Sequence, residues 1–119
     1  MRTLAQERSR FALQKLAQLG VSEEDFIREV TGLPSLVLQN GFGQALAFNL
    51  SKDVKEKTAV VNLVREWLHE RRHVRAANNR QFMESLSQME VGRYLAAQRE
   101  ALEFLNWVKR YANARLFGR

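Results

Sequence analysis

The chain has no cysteine, one proline, six glycines and no long apolar run, and each shortage removes a class of protein. Without cysteine there is no disulfide framework, no thiol nucleophile and no thiolate metal site, which suits a reducing compartment. No window approaches the roughly 20 consecutive apolar residues of a membrane span, and Met1-Arg2-Thr3-Leu4-Ala5-Gln6-Glu7-Arg8 is too polar to open a secretory signal. A cytoplasmic protein with no membrane partner is expected. Phosphate-cradling glycine loops and a serine nucleophile elbow are missing, because "NGFGQ" has too few glycines in the right order. Carboxylates cluster only at Glu23-Glu24-Asp25, where helix capping explains them. Neither a catalytic residue nor a cofactor site is expected.

What remains is helical. A length of 119 residues at 45% hydrophobic composition supplies one modest core, so residues 1–119 are expected to form a single domain. Scarce proline and glycine, with no alternating β-branched runs, leave the helical period almost unbroken. The expected fold is all-α: a compact bundle of five to six helices with a long central C-terminal helix. The first helix is expected from about Thr3 to Leu19, with Leu4, Ala5, Phe11, Ala12, Leu16 and Leu19 inward and Gly20 as its stop. Ser22 caps a second helix, which buries Phe26, Ile27 and Val30 and ends near Thr31-Gly32-Leu33; Pro34 then fits the first turn of a third. The uncharged "LPSLVLQNGFGQALAF" reads as core, with Gly41 and Gly43 marking a break or a close approach of another backbone. A fourth helix starts near Val54, a short one carries Phe82, Met83 and Leu86, and Ser87-Gln88-Met89-Glu90 reads as a capping box opening the last. On that last helix Val91, Tyr94, Leu95, Ala97, Ala101, Leu102, Phe104, Leu105, Val108 and Ala112 form a wide apolar arc.

Charge is placed unevenly. Residues 1–50 balance five cations with five acids, so the net +6 belongs wholly to residues 51–119, and fourteen of the nineteen cations are arginine. Arginine forks suit phosphate and stack on bases, so a polyanionic partner is indicated.

The stretch "HERRH", His69 to His73, fits the H-E-x-x-H pattern of zinc hydrolases. On a helical wheel Val60, Leu63, Val64, Trp67 and Leu68 make the apolar arc, while both histidines lie on the solvated side with Arg65, Glu66 and Arg72. A catalytic zinc wants a third protein ligand, yet the chain has no other histidine and no cysteine, and two arginines would crowd a dication. No metal site is expected there. Read as charge, Arg65, Arg71, Arg72 and Arg75 form one candidate RNA-backbone patch, and Lys109, Arg110 and Arg115, followed by Arg119, form a second. Trp107 falls outside the last helix's arc and is expected to serve packing or a partner.

Two stretches then carry a family resemblance. Leu33-Pro34-Ser35 through Asn40-Gly41-Phe42-Gly43-Gln44-Ala45-Leu46-Ala47-Phe48 matches an "LP…NGLgqALaF" pattern, with Phe42 where leucine is usual. Glu100-Ala101-Leu102-Glu103-Phe104-Leu105-Asn106-Trp107-Val108-Lys109-Arg110-Tyr111-Ala112 matches "EaL.fL.WLKRfA", with Val108 and Tyr111 as departures. Together with the opening "ERSRFALQKL" they resemble the small α-helical subunit of the type III-B CRISPR effector, the fifth subunit of the Cmr (RAMP module) complex. The stretch from about Lys52 to Gln88 resembles it least. The resemblance implies a non-catalytic subunit whose copies stack head to tail as a minor filament in antiviral defence. Its partners would be the backbone subunit and other Cmr subunits, further copies of itself, and CRISPR RNA paired with target RNA in a channel it helps to line. Phe42 is expected as the surface anchor. The alternatives are the small subunit of the related type III-A complex and a free basic helical nucleic-acid-binding protein.

Overall fold

A computed structural model describes residues 1–118, and within them every regular element is a helix: α1 (Leu4–Ala17), α2 (Glu23–Asn40), α3 (Phe42–Ser51), α4 (Lys55–Glu70), α5 (Asn79–Ser87) and α6 (Val91–Asn113). Arg119 lies outside the described residues. The longest helix, α6, packs against α1, α2 and α4 and so forms the axis of the fold.

Caps set most of the boundaries. Thr3 and Gln6 exchange side-chain bonds with each other's backbone N–H in a capping box, and the hydroxyl of Ser22 accepts from the Asp25 N–H at 3.3 Å. Helix α1 stops at Ala17, so Gly20 is not its terminator, and Leu4 and Ala5 are exposed because the first turn extends past the core.

Two sequence expectations fail in the middle of the chain, while the break expected at its glycines is present. Pro34 does not start a helix; it lies inside α2. Its ring removes one helix bond, at about 3 kcal/mol. Phe26, Val30, Leu33 and Val37 are nonetheless all buried along one face of α2, and at about 1.5–3 kcal/mol each they outweigh that cost. The break falls at Gly41, whose φ of 88° and ψ of 158° suit glycine alone. Its N–H donates to the Val37 carbonyl at 2.8 Å and its own carbonyl accepts from Ala45 at 3.0 Å, so one residue ends α2 and begins α3. Phe42 is not a surface anchor. Its ring is fully buried, edge-on to Phe82 and Tyr94, because Gly41 turns the first residue of α3 inward. Of Gly41 and Gly43 it is Gly43 that is closely approached, since a Cβ there would stand 3.3 Å from the Tyr94 hydroxyl. The Gly43 N–H donates to that hydroxyl at 2.8 Å, so the neighbour is a side chain of α6, not another backbone.

The last helix also begins later than its sequence suggests. Ser87 is the final residue of α5 and its hydroxyl donates back to the Met83 carbonyl, while Glu90 is the N-cap of α6 without a side-chain cap bond. Val91 and Leu95 consequently stand on exposed turns, whereas Ala97, Ala101, Phe104, Leu105, Val108 and Ala112 fill the core as their spacing requires. The helix ends at Asn113.

One ion pair crosses this core. Glu100 of α6 accepts two bonds from the Arg8 guanidinium of α1, at 2.6 and 2.8 Å, and a third from Trp67 Nε1 of α4 at 2.9 Å. The Trp67 ring stacks on Phe104 at 5.2 Å and meets Phe11 at 5.1 Å, so the same side chain joins three helices.

Candidate nucleic-acid interface

The "HERRH" stretch crosses the end of α4. His69 and Glu70 occupy its last turn, Arg71 is the C-cap, and Arg72 is left-handed at φ 63°. The His73 N–H bonds the Leu68 carbonyl at 2.8 Å and the Arg72 N–H bonds that of His69 at 3.0 Å, the two bonds of a Schellman ending. The histidines therefore do not stand one helical turn apart as zinc ligation at i and i+4 requires. Moreover, His69 Nδ1 accepts from the Ala76 N–H at 3.2 Å, which commits that ring to holding the following loop. Among the described residues no group of three or more His, Asp or Glu could hold a metal ion.

That loop, residues 71–78, is pinned by alternation. Val74 and Ala76 are buried, so Arg75 between them is turned out to solvent. Asn78 then caps α5, accepting from Gln81 at 2.9 Å. Arg65 is spent on the same junction: its Nη1 donates to Asn62 at 2.9 Å and to Asn79 at 2.6 Å, tying α4 to the start of α5.

Arg72 and Arg75 meet Arg93 of α6 in one open groove of about 660 Å³, lined also by His69, Glu70, Val74 and Ser85. None of these three arginines has a carboxylate within salt-bridge distance among the described residues, and Glu70 is the only acid in the lining. Three unpaired guanidinium groups around a shallow groove can hold phosphates without reading bases. Arg93 escaped the sequence reading, yet it left a signal. It sits in the first turn of α6, where the helix dipole disfavours a cation, and that turn contains no acid.

The other candidates fall elsewhere. Arg71 lays its guanidinium over the Trp67 ring at 5.6 Å and lines a separate hollow on the α1 side with Glu7 and Arg10. Lys109 and Arg110 lie some 24 Å further along α6 than Arg93, at ~1.5 Å per residue. Arg115 is bonded to Glu24. Trp107 is partly buried against the core beside Tyr111, whose hydroxyl bonds Ser9 of α1 at 2.6 Å.

A burial conflict is resolved at Glu100. Burial pushes its carboxyl up, but the bonds from Arg8 and Trp67, with the nearby charges of Arg8 and His73, outweigh this and hold it below the usual glutamate range. The same pair raises the Arg8 guanidinium further, chiefly through its bond to Glu100. This network is structural support beneath the end of α4.

Comparison with known proteins agrees with the all-helical fold. No match was found among curated protein sequences. The crystal structure of a CRISPR-associated Cmr5 family protein from Thermus thermophilus superposes with a TM-score of 0.81 at 30% identity, covering 96% of this chain and 97% of that one. The sequence model of the CRISPR-associated protein family Cas_Cmr5 matches residues 4–115, nearly the whole chain. This chain belongs to the CRISPR-associated Cmr5 family, whose members are small subunits of the type III-B Cmr complex.

Proposed function

We propose that the protein is a non-catalytic RNA-facing subunit of the Cmr effector. Copies of it stack as a minor filament beside the backbone subunit in the cytoplasm, and the groove of Arg72, Arg75 and Arg93 borders the channel in which CRISPR RNA pairs with its target. Sequence in such a complex is read by base pairing, so the groove's contacts are to phosphates. The observation that carries the reading is the cluster of three arginines without carboxylate partners, presented by a rigid helix end and a pinned loop. Nothing about phosphate contact requires a base-reading recognition helix, and the groove offers none.

The test is charge reversal. Arg72→Glu with Arg75→Glu is expected to weaken binding of RNA at about 50 mM salt, where phosphate contacts are strong, while circular dichroism shows the same helicity. Unchanged affinity would remove this groove from the RNA surface.

A further inference from the structure

Away from the arginine groove, the C-terminal half of α3 carries an unusual surface ring. Phe48 is the most exposed aromatic residue among the described ones, at 44%. Its exposed neighbours one turn away are polar, Gln44 before it and Ser51 and Lys52 after it, while Ala45 is buried. The Lys52 ammonium lies 4.7 Å from the ring centroid, and the Lys57 ammonium, reaching over from the start of α4, lies 5.9 Å from it. Lys57 is held there by Glu29 at 2.8 Å, whereas Lys52 has no carboxylate partner among the described residues.

We infer that Phe48 is a stacking platform for an unpaired base of single-stranded RNA, with Lys52 meeting a flanking phosphate. The inference rests on the reading that this chain faces RNA, but it concerns a different surface, since Lys57 and the arginine groove lie at opposite ends of α4. Charge decides the occupant. An exposed ring with polar neighbours along its helix and an unpaired ammonium over it is poor ground for an apolar protein face, and it combines the stacking surface and cation that single strands use. Energetics permit the exchange as well. An exposed cation–π contact is weaker than base–aromatic stacking, so an arriving base displaces Lys52, whose ammonium is then free to meet a phosphate.

The experiment measures affinity of the full chain for a short, unstructured uridine-rich RNA by fluorescence anisotropy, together with photocrosslinking of the same RNA carrying 5-iodouridine. Phe48→Ala and Phe48→Leu are expected to lose affinity about tenfold, the scale of one stacked base, and Phe48→Trp to keep it. The crosslink is expected on Phe48 of the unmutated chain. Leucine binding as tightly as phenylalanine, or crosslinks confined to other residues, would overturn the platform. So would Phe48→Ala leaving RNA affinity intact while releasing the subunit from the assembled complex, which would assign the ring to a protein partner. Loss of the Arg72/Arg75 effect with the Phe48 effect intact would instead count against the groove alone.

Discussion

Among the described residues Glu100 is the only buried carboxylate, and its three bonds define what the core tolerates. Truncation to alanine would strand the Arg8 guanidinium in a largely buried position, which costs about 3–5 kcal/mol. The charge also has a pH signature. Glu100 titrates lower in the folded chain than in the unfolded one, so its contribution is fully present above the ordinary glutamate value of about 4.3 and is lost as pH falls through the lower folded value. Urea melts taken from neutral pH down through the carboxylate range should therefore show stability falling in acid, and Glu100→Gln should flatten that limb; parallel curves would contradict the assignment. Phe42 gives the second residue-scale prediction. Its full burial implies a loss of about 3–5 kcal/mol on Phe42→Ala, readable by the same melts, where a surface anchor would lose less than about 0.5 kcal/mol. The sequence did not disclose this burial, because no helical period extends across the Gly41 break to fix which way Phe42 faces.

At the scale of elements, the readable parts were those with an uninterrupted period. Val60, Leu63, Val64, Trp67 and Leu68 are all buried as the wheel of α4 required, and Ser22 caps α2 as its neighbours required. Junctions were hidden, since they depend on tertiary partners: Pro34 is absorbed by burial on both sides, and Ser87 spends its hydroxyl on its own helix. Two helices end on a left-handed arginine where glycine is usual: Arg72 at φ 63° and Arg115 at φ 62°. A non-glycine residue there costs about 1–2 kcal/mol. Arg72→Gly is thus expected to stabilise the chain by about 1 kcal/mol while weakening RNA binding, measured by thermal melts beside anisotropy. A variant that gains stability and keeps full affinity would show that the strain serves something other than RNA. Gly41→Ala should move the other way, losing about 1–3 kcal/mol in a conformation open only to glycine.

For the whole molecule, charge was legible in amount and in chain position but not in arrangement. The excess of cations after residue 50 pointed to a polyanion. Of the seven basic candidates, only Arg72 and Arg75 share the groove; Arg65 and Arg115 are tied to partners, Arg71 covers Trp67, and Lys109 and Arg110 stand at the other end of α6. Side-chain partners from other helices decided this, and no wheel contains them. The partition predicts a difference in salt dependence. Neutralising Arg72 and Arg75 to glutamine should flatten the log–log salt slope of single-stranded RNA binding by about 1.4, two contacts at ~0.7 each. Arg71→Gln should leave that slope unchanged.

Whether the chain faces RNA within a Cmr complex is decided by recovering the tagged chain from its native cells and identifying the RNA and proteins that come with it. A short guide RNA together with RAMP-type subunits is expected, as is loss of affinity for target RNA when Arg72 and Arg75 are reversed. Recovery of the chain alone, carrying stoichiometric zinc, would contradict it.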